Sequence, residues 1–190
     1  MRNKKLDILI GILFLIATIV FVIVFLSNDT FFYWAFNRHL NILSWYIRPL
    51  FIIPIIFFAF KRSWSGIFCS IFLLFTSMFW FPAPVNPSLM EKEFLQFEMD
   101  YLQGVWDIQK ILISLLVPVF FILIIMSAWK HSFKWLIRTL IGAMLMKVLW
   151  SITFSGNSGI SILKPAIGGL SICLVTVWYF IRHKHKGCRK

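Results

Sequence analysis

The chain has 190 residues, 60% of them hydrophobic and 18% aromatic, with a mean hydropathy of +0.86. Those values exclude a water-soluble globular domain and leave an all-α polytopic membrane protein, read as one membrane domain over residues 1–190. The formal charge of +12 does not point to nucleic acid, because the basic residues cluster at the ends of apolar segments, as they do in loops facing anionic lipid.

The amino terminus begins like a signal peptide, with Arg2, Lys4 and Lys5 ahead of an apolar run. The run from 8 to 26 is long enough to cross about 30 Å of hydrocarbon at about 1.5 Å per residue. Its flank, FLSND, offers no small-x-small cleavage site, so it reads as an uncleaved first span. Residues 28–40 carry Phe31, Phe32, Tyr33, Trp34 and Phe36, rings that favour the headgroup level, and are expected on the outer interface. Asn28-Asp29-Thr30 is a lone glycosylation sequon close to the lipid.

A second span is expected over 41–60, kinked near 49–54 by Pro49 and Pro54. Lys61 and Arg62 make a tight turn into a third span over 64–81. A polar interruption follows, SMFWFPAPVNPSLMEKEFLQFEMDY from Ser77 to Tyr101, holding Glu91, Glu93, Glu98 and Asp100 out of seven acidic residues. Ser88 followed by Glu91 is a capping box, which predicts an amphipathic interfacial helix over 88–103.

Three further spans are expected over 108–129, 133–154 and 160–181, with a basic turn at Lys130, Lys134 and Arg138 and a flexible SGNSG turn at 155–159. The tail, RHKHKGCRK, is suited to anionic lipid at a cytoplasmic surface. Basic and non-basic connections alternate across these six spans, so both termini should be cytoplasmic, in a cell or inner membrane. The two prolines of span two have no counterpart in span five, which argues against an inverted-repeat transporter.

Polar residues inside the spans carry the functional signal. Asn37, Asn41, Ser44 and Arg48 recur at i, i+4, i+7 and i+11, one face of a continuous helix. Counting outward from Lys61 puts Arg48 roughly 10 Å below the outer boundary. Thr139, Ala143, Lys147 and Ser151 step by four in span five and bring Lys147 to a similar depth. A cation at that depth costs about 2.5–3.5 kcal/mol, so two of them suggest a wet recess or buried partners. Glu98 lies between two apolar arcs of the 88–103 helix and is expected to point at Arg48 or Lys147, making that helix a lid. Asp107, Lys110 and Ser114 form a similar polar stripe at the start of span four, whereas Pro165, Gly169 and Cys173 read as a packing row.

No H-E-x-x-H, G-x-S-x-G, Walker or dinucleotide motif occurs, and the three cysteines form no C-x-x-C pair, so no cofactor or metal site is expected. The ligand-binding candidates are Arg48, Lys147, Glu98, Asn41, Ser44 and His39, around an outward-facing recess that binds or transports an anionic small molecule or a lipid head group. An accessory subunit with a membrane-protein partner is the alternative, distinguished by stoichiometric co-purification. An intramembrane lipid-modifying enzyme using His39 and Glu98 as acid and base is a third, distinguished by turnover.

Overall fold

The computed structural model describes residues 3–187, with the backbone alone for 155–157 and 180–187. Every regular element among the described residues is helical. Helix α1 covers Lys4–Ser27, α2 Asp29–His39, α3 Ile42–Leu50, α4 Ile52–Phe60 and α5 Trp64–Thr76. After a 3-10 turn at Ser77–Phe79 come α6 Leu89–Gln103, α7 Ile108–Trp129 and α8 Phe133–Ser155. A second 3-10 segment, Gly156–Ile162, leads into α9 Leu163–Gly187. The Cys188 end of the basic tail lies outside the described residues, as do the side chains of His183 and His185.

Among the described residues five stretches are long and apolar enough to cross a membrane: Lys4–Ser27, Ile42–Phe60, Ile108–Trp129, Phe133–Phe154 and Ser158–Tyr179. They mark the chain as a helical, multi-pass membrane protein. The expected third span is shorter. Its apolar helical stretch is Trp64–Phe79, about 25 Å long, because α5 stops at Thr76. There the Thr76 and Ser77 hydroxyls donate back to the carbonyls of Leu73 and Leu74 and tighten the chain into the 3-10 turn.

Where a kink was expected, the helix is interrupted for one residue. Phe51 separates α3 from α4, since Pro54 lacks the N–H that would continue the ladder. The thiol of Cys173 on α9 donates to the carbonyl of Pro49 at 3.6 Å, beside the interruption. Pro165, Gly169, Cys173 and Val177 are all buried along one face of α9. A Cβ on Gly169 would fall 2.5 Å from the Pro49 ring, so only glycine lets the two helices meet so closely.

Both tight turns end a helix in the same way. Arg62 and His131 take left-handed φ angles of 53° and 54°. The following serines, Ser63 and Ser132, bond back to the carbonyls of Phe58 and Ser127 at 2.9 and 2.8 Å, closing each helix in a Schellman-type cap.

Among the described residues two apolar cores result. One joins α4, α5, α7, α8 and α9 around Ile55, Ile67, Ile124, Leu136 and Val177. The second lies at the α2–α6 end, around Phe25, Phe32, Phe36, Trp45, Met78, Phe94 and Leu95. Phe32 and Phe36 were expected at the headgroup level but are buried in this second core, while Tyr33 and Trp34 of the same helix stay exposed. The physical reason is the helical period: Phe32, Ala35, Phe36 and His39 share one face of α2 and pack inward together.

Candidate functional site

The expected continuous stripe from Asn37 to Arg48 is broken, because the chain turns at Leu40 and Asn41. Asn41 is the N-cap of α3: it is extended, its Oδ1 accepts from Leu43 N at 3.1 Å, and its Nδ2 donates to the Pro82 carbonyl at 3.0 Å. Asn37 stays exposed on α2. The turn brings His39, at the end of α2, over the first turns of α3.

His39 is then fully engaged. Its carbonyl accepts from Trp45 Nε1 at 2.8 Å, and its ring spans Ser44 Oγ at 2.7 Å from Nδ1 and Arg48 Nη1 at 3.0 Å from Nε2. A guanidinium can only donate, so Nε2 accepts, and Nδ1 carries the proton toward Ser44. Ser44 in turn donates to the Asn41 carbonyl at 2.7 Å. The direction of every bond in this chain requires a neutral imidazole. Burial, together with the positive charges of Arg48 and Lys147, holds the His39 pKa well below its ordinary value.

Arg48 is half-buried and spends a donor on that neutral ring. Among the described residues no carboxylate lies within 4.0 Å of it. Glu98 acts on it only from further off. The Glu98 carboxylate is instead paired with Lys147 Nζ at 2.7 Å. Lys147 is 44% exposed and Glu98 19%, so the pair itself stabilises the fold by about 1 kcal/mol or less.

The two groups meet through aromatic rings. Phe94 of α6 packs edge-on against Trp45 of α3 at 5.5 Å, and the Lys147 ammonium lies 5.6 Å from the Phe94 ring and 5.1 Å from Trp150. Thus His39, Ser44 and Arg48 are in direct contact, Glu98 and Lys147 are in direct contact, and one buried phenylalanine joins the sets. Asn41 serves the backbone beside them. Both His39 nitrogens are occupied by Ser44 and Arg48, so neither bonds to Glu98.

Helix α6 is held over this cluster by devices at both ends. The Ser88–Glu91 box is formed, with Glu91 N to Ser88 Oγ at 3.2 Å and Ser88 N to Glu91 Oε2 at 3.0 Å. At the other end Lys110 Nζ reaches back to the carbonyls of Leu102 and Gly104 at 3.2 and 2.7 Å, while Asp107 caps α7. The polar stripe of Asp107 and Lys110 is therefore taken up by helix capping. Beside the Lys147–Glu98 pair, the Tyr101 hydroxyl and the Trp150 indole N–H are buried without a hydrogen-bond partner among the described residues, their rings 5.3 Å apart.

Sequence reasoning passed over Asp7. It is buried in the first turn of α1 and accepts from Ser63 Oγ and Trp64 N, both at 3.0 Å, from Ser65 N at 3.4 Å and from Ser65 Oγ. The available signals were a carboxylate at the start of an otherwise apolar span and the Ser-Trp-Ser run after the basic turn. Among the described residues no group of histidine, cysteine, aspartate or glutamate is arranged to hold a metal.

No family model, curated protein or solved structure matches the chain. The functional reading therefore rests on the geometry of these residues alone.

Proposed function

We propose that the protein is a six-span membrane protein, both termini cytoplasmic, whose outward-facing recess binds or transports an anionic small molecule or lipid head group. The single observation that carries this reading is Arg48, a half-buried cation whose described partner is a neutral ring and which has no carboxylate within 4.0 Å. A buried cation without a counter-charge is costly, and an incoming carboxylate or phosphate removes that cost while filling the guanidinium's remaining donors. Lys147 adds a second positive charge, and the unpartnered donors of Tyr101 and Trp150 add capacity for acceptor oxygens. Glu98 occupies the anion's place toward Lys147 and is the group an anionic ligand displaces. In this reading α5 with its 3-10 turn makes the short third span, and α2 and α6 lie at the outer surface. The alternation of basic and non-basic connections supports that threading.

The test is titration of the purified chain in neutral-lipid nanodiscs with inorganic phosphate and glycerol phosphate, read by tryptophan fluorescence from Trp45 and Trp150. Saturable binding is expected, lost in Arg48→Ala while expression and membrane insertion persist. Glu98→Gln removes the internal competitor and should tighten binding by up to about fivefold. If Arg48→Ala binds as well as the parent chain, the recess is not an anion site.

A further inference from the structure

A groove lies apart from the Arg48 cluster. It encloses about 420 Å³ between α2 and α6, lined by Tyr33, Phe36, Asn37, Leu40, Lys92, Leu95, Gln96 and Met99. That volume falls within the range of about 300–1,000 Å³ usual for small-molecule sites. The lining has a strict order. Phe36 and Leu40, four apart, face Leu95 and Met99, also four apart, and make an apolar floor. Tyr33 and Asn37 form one rim, Lys92 and Gln96 the other. The Tyr33 hydroxyl donates to Gln103 Oε1 at 3.0 Å and ties the two helices together at one end.

The rims are not matched to each other. Gln96 is satisfied by Asp100 at 2.8 Å, but neither the Lys92 ammonium nor the Asn37 amide has a hydrogen-bond or ion-pair partner among the described residues. Among the described residues that line the groove, Lys92 is the only ionisable group besides the Tyr33 phenol, and none is a carboxylate. An apolar strip beneath a free cation and a free amide is complementary to one kind of molecule: an aliphatic chain with an anionic head.

We propose that this groove is a binding site for an anionic phospholipid, one acyl chain lying on Phe36, Leu40, Leu95 and Met99 and the phosphate held by Lys92 and Asn37. The inference rests on the reading that α2 and α6 lie at the outer membrane surface. The exposed rings of Tyr33 and Trp34 flank the groove at the level such a lipid needs. None of the groove's residues belongs to the Arg48 cluster, so the two sites can succeed or fail separately.

The experiment uses the full chain in phosphatidylcholine nanodiscs doped with phosphatidylglycerol, with lipid retention on extraction read by native mass spectrometry. The parent chain should retain phosphatidylglycerol in preference to phosphatidylcholine. Lys92→Gln should lower that preference by about fivefold, the worth of one cation near an anionic surface. Asn37→Trp, also at an exposed position, should fill the groove and abolish retention of either lipid there. Arg48→Ala should leave retention unchanged while removing phosphate binding from solution, which separates this site from the recess. Equal retention of the two lipids by the parent chain, or undiminished retention in both groove variants, overturns the proposal. So does complete competition by glycerol phosphate, which would mean that the chain contributes nothing.

Discussion

At the scale of single residues, the chain's polar atoms are mostly spent on one another, and two of them set measurable properties. His39 must be neutral to accept from Arg48, and its folded pKa lies below the ordinary 6.5. The unfolded chain therefore binds the extra proton first, so His39's contribution to stability is present above pH 6.5 and is lost as the pH falls through the lowered folded value. Thermal melting in detergent should show this acid loss, and His39→Gln should flatten it; an unchanged slope would assign the titration elsewhere. Asp7 is the other case. It gathers hydroxyls and backbone N–H groups from Ser63 to Ser65, so Asp7→Ala should destabilise the fold by about 2 kcal/mol, with a smaller loss for Asp7→Asn, measured by denaturation in mixed micelles. Neither His39's tautomer nor Asp7's partners could be read from sequence, because both depend on residues brought close only by a turn.

Among the elements, the end signals were the most legible part of the chain. Ser88 with Glu91 announced the start of α6, and the structure starts that helix at Leu89. Basic residues marked the ends of α4 and α7, Lys61 with Arg62 after the first and Lys130 after the second. What failed was the stripe from Asn37 to Arg48, since spacing by four assumes an unbroken helix, and an asparagine is as able to cap a new helix as to sit within an old one. The Pro49 region shows how much a break depends on its neighbour. Gly169→Ala should destabilise by about 1–3 kcal/mol, because its Cβ would meet the Pro49 ring, and the shift should appear in thermal melting of the purified protein. Gly142→Ala, which meets nothing within 4 Å, is the control and should leave the melting temperature in place.

For the whole molecule, hydropathy made the class plain, because about 20 apolar residues in a row have few other uses. The membrane class and five of the spans needed only composition and length. The short α5 stretch did not yield to the same reasoning, since hydroxyls bonding back to the chain end a helix without any loss of hydrophobicity. The proposed threading is open to direct measurement. With Cys69, Cys173 and Cys188 replaced, Thr30→Cys and Gln96→Cys should react with an impermeant thiol reagent applied to intact cells. Arg62→Cys and Gly187→Cys should not, and labelling of Gly187→Cys from outside would refute six spans.

The clasp of Asp7 on Ser63 joins residues 56 positions apart, which imposes an order on biosynthesis. At about 5–20 residues per second, the ribosome leaves that carboxylate without its donors for several seconds. Through that interval water must answer the acid in place of those donors. Only after residues 28–60 have been made does the Ser63 turn emerge to replace that water. Helix α1 is thus latched only once residues 63–65 are made, and the segment from Asn28 to Phe60 is laid out as an open loop before the latch at its base is closed.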